Sequence, residues 1–169
     1  MITSKISYEF LRQRVKISWR DVQFGLEHQL IGPIVAIQLA AARCEADSAS
    51  QDEVELGGRL ESESICELVR RLADAEIMTE EDIQTKWLYL VLAWLFENRA
   101  LVNDPLGMVE EIYSDFGYPR EMSSFVRYMP MVGPDLGSHS QNEARLYERW
   151  EKFLDETGKR FSRTCQIQG

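Results

Sequence analysis

The sequence is poor in the residues that usually carry chemistry. It has two histidines and three cysteines in 169 residues. The cysteines, Cys44, Cys66 and Cys165, are far apart and show no Cys-x-x-Cys spacing. An odd, scattered set argues against a disulfide framework and fits reduced thiols in a cytosol. Two of them fall on apolar helical faces by spacing, where a free thiol acts as a small hydrophobe. Neither His28 nor His139 lies in a His-Glu-x-x-His pattern, so the helical zinc motif is missing. There is no P-loop, no dinucleotide fingerprint and no Gly-x-Ser-x-Gly elbow; the glycines are single apart from Gly57-Gly58. No metal site and no cofactor is implied.

Long hydrophobic runs are missing too. The longest is Trp87–Phe96, ten residues, whereas a bilayer-spanning helix needs roughly 20. The first twenty residues hold five basic residues and Glu9, with no unbroken apolar stretch for a signal sequence. The expectation is a cytoplasmic protein that does not enter membranes.

Basic clusters are also scarce. The net charge is −9, and its source is local. Between Glu45 and Asp82 there are thirteen acidic and three basic residues, against fifteen and sixteen elsewhere. Nucleic-acid binding is disfavoured, because phosphate neutralisation requires clustered Lys and Arg. The acidic stretch reads structurally as a solvated face with a loop. Functionally it reads as a field that steers a basic protein partner.

What is present is helical periodicity, nearly throughout. Ile6, Phe10, Leu11 and Val15 share a face. Ser18 with Asp21 reads as a capping pair before Trp19, Val22, Leu26 and Leu30. Gly32-Pro33 separates that helix from an alanine-rich one. Residues 47–58 are polar and read as a loop, with a hairpin turn at Gly57-Gly58. Ser64 with Glu67, and Thr79 with Asp82, read as further capping boxes; the second opens the helix that carries Trp87–Phe96. Asp104-Pro105 starts another helix. The last starts at Ser140 and ends at Gly158. The fold class is therefore all-α: a single compact domain of about seven helices around a central apolar helix. It spans residues 1–158, with a basic, polar C-terminal tail at 159–169.

The stretch Ile112–Pro130, "IYSDFGYPREMSSFVRYMP", contains Asp-Phe-Gly, yet none of the other parts of a kinase is present. Backbone physics explains the letters instead. Phe116 ends a helix, Gly117 takes the left-handed C′ position, Tyr118 is extended before proline, and Pro119 opens a short helix. Asp115 sits in the last turn, against the helix dipole, and points to Arg120 or Arg127 as a partner. The stretch also gathers five of the seventeen aromatics. One reading completes a core. The other is a recognition surface, since Tyr, Met and Arg are enriched at interfaces. On the second reading the partner-binding residues are Tyr113, Asp115, Phe116, Tyr118 and Arg120, continuing with Met122, Phe125, Arg127, Tyr128 and Met129.

"IYSDFGYP", "FVRYMP" and the upstream "KWLYLVLAWLFEN" resemble an uncharacterised bacterial family, domain-of-unknown-function family twenty-two forty-seven, over about Ser18 to Leu154. The resemblance implies no activity and no catalytic residues. Small acidic bacterial families of this kind are similar to immunity proteins, which neutralise a toxin. The leading expectation is a non-enzymatic protein-binding module, in its sharpest form an immunity-like inhibitor of a basic toxin. The alternative is a metal-assisted hydrolase using Glu111, Asp115 and a histidine, Glu111 and Asp115 being four apart on one helix. Asp21 and His28 also share a helical face. A homo-oligomer that buries the aromatic stretch is a third class.

Overall fold

The computed structural model describes residues 6–58, 62–131 and 133–167. Among them the chain is all-helical, as the periodicity predicts, with no strand. Eight α-helices are present: α1 Tyr8–Arg12, α2 Trp19–Glu27, α3 Ile34–Glu45, α4 Gln51–Gly57, α5 Ser62–Asp74, α6 Glu80–Glu97, α7 Pro105–Asp115 and α8 His139–Ile167. Two 3₁₀ turns, Arg99–Leu101 and Arg120–Met122, flank α7. The contacts divide the chain into two compact units, Ile2–Trp87 and Leu88–Gly169, and the boundary falls inside α6. Through that helix, Trp87 to Ala93 and Leu95 are all buried. The apolar run is thus largely buried, with Trp94 and Phe96 half-buried, as its lack of a polar face requires.

In the first unit α2 packs on α5, and α3 on α4. The Ser18 capping box forms: Asp21 N–H donates to Ser18 Oγ at 3.1 Å, and Ser18 N–H donates to Asp21 Oδ2 at 2.9 Å. Glu76 adds a carboxylate to the same helix start, accepting from the N–H groups of Trp19 (3.1 Å) and Arg20 (3.0 Å). Its negative charge meets the positive end of the α2 dipole. Arg20 Nε in turn donates to the Ala73 and Glu76 carbonyls, tying the end of α5 to α2.

Several details differ from the sequence expectation. Residues 51–57 form α4, not a hairpin loop, because Ser50 and Glu53 make a reciprocal capping box. Glu53 is also buried, and its Oε1 accepts from Trp19 Nε1 at 2.6 Å and Arg43 NH1 at 2.9 Å. Part of the acidic stretch therefore serves the fold. Ser64 lies within α5 rather than capping it. Cys44 and Cys66 are exposed, not packed on apolar faces. Ser138, not Ser140, caps α8, accepting from Gln141 N–H at 3.1 Å. Gly158 does not end α8, which continues to Ile167. A Cβ at Gly158 would lie 3.0 Å from the Tyr89 hydroxyl, so the glycine lets that ring approach the helix.

In the second unit the core is aromatic. Trp150 meets Phe96 edge-on at 5.0 Å, and Phe125 tilts against Phe153 at 5.5 Å. Phe125 is also parallel to Trp150 at 6.4 Å. The 3₁₀ turn Arg120–Met122 packs on α8, and Met122, Phe125 and Val126 are buried. This anchoring fixes the segment that follows α7 and decides which of its side chains face outwards.

Candidate functional site

The site begins at the two ends of α7. At its start, Asp104 is the N-cap expected from Asp-Pro, with Oδ1 accepting from Gly107 N–H at 3.1 Å and Pro105 in the first turn. At its end the chain makes a Schellman motif. Tyr118 N–H donates to Tyr113 O at 2.8 Å, and Gly117 N–H to Ser114 O at 3.1 Å. Gly117 has φ 74°, as expected. Tyr118 does not take the extended conformation expected before proline; its φ is 61°. Tyr118 is thus left-handed at the position after C′, and Pro119 leads into the next 3₁₀ turn. Gln29 and Asp47, the other non-glycine residues with positive φ among the described residues, occupy the ordinary C′ positions after α2 and α3. Tyr118 lies one residue beyond C′, and it bears a large side chain.

Tyr118 and Tyr128 both rest on Tyr113. The Tyr113 ring, buried, meets Tyr118 edge-on at 5.3 Å and Tyr128 at 6.0 Å. The two outer tyrosines are 60% and 54% exposed. Loss of hydration raises the Tyr128 hydroxyl above its ordinary pKa, helped by Tyr113, Tyr118 and Glu110 nearby.

Beside the rings lies an ionic clamp. Arg127 grips Asp104 with a two-pronged pair, NH1 to Oδ1 and NH2 to Oδ2, each at 3.1 Å, and its Nε donates to Glu110 Oε1 at 3.2 Å. These carboxylates hold the guanidinium charged. The bond from Arg127, then that from Gly107 N–H, hold the Asp104 carboxyl below its usual value. Arg127 thus pairs with Asp104 and Glu110 instead of Asp115, which is exposed. The clamp borders an open cavity of about 600 Å³ that includes Asn103, Met108, Glu111 and Ser114 in its lining.

Of the ten residues selected from sequence, Tyr113, Met122 and Phe125 are buried and build the core. Phe116 and Met129 are half-buried; Asp115, Tyr118, Arg120, Arg127 and Tyr128 are exposed. The aromatic stretch is therefore divided: some of its residues complete the core and others lie at the surface. Glu110 and Asp104 were not selected; the Asp104 cap was legible, but its pairing with Arg127 depends on the return of the chain.

The family comparison agrees with the signature. A model of uncharacterised proteins conserved in bacteria, DUF2247, matches residues 8–158. The chain belongs to this family. No curated protein and no solved structure matches it. DUF2247 membership brings no established activity, so the site must be judged on its own chemistry. Among the described residues of this DUF2247 chain, no group of three or more His, Cys, Asp or Glu side chains is placed to hold a metal ion. His139 is exposed at the start of α8 beside Glu143, 3.5 Å away. His28 stacks on Phe24 at 3.9 Å, and its Nδ1 lies 2.9 Å from the Phe24 carbonyl. Asp21 is turned inward instead, pairing with Lys86 at 2.7 Å, so Asp21 and His28 make no joint site. No described helix is long and apolar enough to cross a membrane.

The Asp104 clamp has a pH signature. A carboxylate with a depressed folded pKa contributes stability above its unfolded value of about 3.9, and that contribution is lost as pH falls through the lower folded value. Asp104→Ala, which also removes the cap, is expected to cost about 1–2 kcal/mol at neutral pH. Most of this is the cap, since the pair is solvent-screened. Urea unfolding across the acid range should show the gap between variant and parent narrowing, without closing, at low pH.

Proposed function

We propose that this chain is a non-enzymatic protein-binding module that engages its partner through the surface around Tyr118 and Tyr128. The observation that carries the reading is Tyr118 itself, a bulky residue held at φ 61° directly before proline with its ring mostly in solvent. A left-handed conformation costs a non-glycine residue about 1–2 kcal/mol. Burial does not repay that cost here, and strain of this kind concentrates at functional positions. Tyrosines on a rigid base lose little entropy on binding and suit interface anchors. The buried Tyr113 and the Met122–Val126 core supply that base.

In its sharpest form, the module occludes the site of a basic toxin, as an immunity protein does. Such inhibition requires a complementary surface and no catalytic group, and a net charge of −9 favours encounter with a basic protein. The test is affinity capture from bacterial lysate with the tagged chain and its Tyr128→Ala variant, at low and high salt. The expected result is a protein retained by the parent at low salt and lost by the variant. Identical captures by both, or none by the parent, would overturn the reading.

A further inference from the structure

We infer that the Tyr118–Tyr128 surface takes an arginine-bearing segment of a basic protein, with a guanidinium seated on the tyrosine rings. The inference rests on the binding reading above and specifies its chemistry. Tyr118 and Tyr128 are 60% and 54% exposed, and both rest on Tyr113. The face of a tyrosine ring attracts a cation, arginine most often.

The surroundings select the sign of the partner. Across α7 with its cap, and the segment to Tyr128, the acids are Asp104, Glu110, Glu111, Asp115 and Glu121, and the bases Arg120 and Arg127. The excess is negative, and Glu110 is among the groups whose charge reaches the Tyr128 hydroxyl. An acidic ligand would be repelled. So would a second copy of this chain, which would bring the same excess against itself. The chain's own Arg127 already makes the planar, two-pronged contact that a guanidinium offers a carboxylate, next to the rings. Arginine suits such a place better than lysine because its flat, weakly hydrated head both stacks and bonds.

The experiment is an NMR titration of the full chain, observing the ring signals of Tyr118 and Tyr128. The probes are an acetylated peptide alternating arginine and glycine, and matched lysine and glutamate peptides. The expected result is that the arginine peptide moves both ring signals, and the lysine peptide does so more weakly. Tyr128→Ala should weaken the arginine peptide roughly tenfold, whereas Tyr128→Phe, which keeps the ring, should bind like the parent. Binding should fall as salt rises. The inference is overturned if the glutamate peptide moves the signals as strongly, if no peptide moves them, or if protein concentration alone does, as for a second copy. A neutral or acidic protein captured through Tyr128 would sink this inference and leave the binding function standing. Equal capture by parent and Tyr128→Ala would sink the binding function.

Discussion

Asp21→Ala is expected to destabilise the protein by about 3–5 kcal/mol, the largest loss from any single side chain considered. Asp21 is 1% exposed, and its Oδ2 pairs with Lys86 Nζ at 2.7 Å. Lys86 is itself buried and otherwise reaches the Lys16 carbonyl at 3.1 Å. Removing the carboxylate leaves an ammonium in the interior with one neutral acceptor. The same oxygen also receives the Ser18 N–H, so the α2 capping box goes with it. Typical stabilities are about 5–15 kcal/mol, so the loss is a large share of the whole. The pair itself need not stabilise much: Asp21 Oδ1 is buried without a hydrogen-bond partner. The double variant Asp21→Asn, Lys86→Met removes both charges and retains a side-chain oxygen for the Ser18 N–H. It should recover most of the loss, as replaced buried pairs often do. Urea unfolding of the two variants reads both effects; a double variant as unstable as Asp21→Ala would contradict the account.

Gly25→Ala is the second large effect, and its sign is opposite to the helical rule. Inside a helix, alanine normally gains about 1 kcal/mol over glycine. At Gly25 an added Cβ would lie 2.6 Å from Trp87 Cζ2 and 2.9 Å from two Ile31 side-chain atoms. The Trp87 ring cannot yield easily, because it is buried and its Nε1 donates to the Asp21 carbonyl at 2.9 Å. We expect a net loss of about 2–3 kcal/mol from overpacking. Gly57, the last residue of α4, has nothing within 4 Å of its Cβ position. Gly57→Ala should therefore follow the ordinary rule and stabilise slightly. Equal shifts in the two variants' unfolding midpoints would contradict this contrast.

The local rules of the fold were legible. The capping pairs at Ser18 and Thr79, the Asp104-Pro105 start and the burial of most of Trp87–Phe96 were legible from spacing alone. The α4 capping box has the same Ser-x-x-Glu spacing, but only Val54 and Leu56 follow it in a seven-residue helix, too few to show a period. Gly158 carries the mark of a helix end, yet it is spent on the close approach of Tyr89. Asp21 was legible as a cap and not as a buried ion, because Lys86 lies 65 residues away. The site divides in the same way. The Ile112–Pro130 stretch was identifiable from composition. Which of its rings face water depends on the packing of Met122, Phe125 and Val126, and the left-handed Tyr118 departs from the preference of its dipeptide with proline.

The central claim is that Tyr118 and Tyr128 are kept for recognition rather than for the fold. Thermal unfolding of the double variant Tyr118→Gly, Tyr128→Ser tests it most directly. Glycine removes the left-handed strain at 118, and serine removes only an exposed ring at 128. The account predicts a Tm within about 3 °C of the parent. A fall of roughly 10 °C or more, the scale expected when core aromatics are lost, would contradict it and return both tyrosines to the interior of the fold.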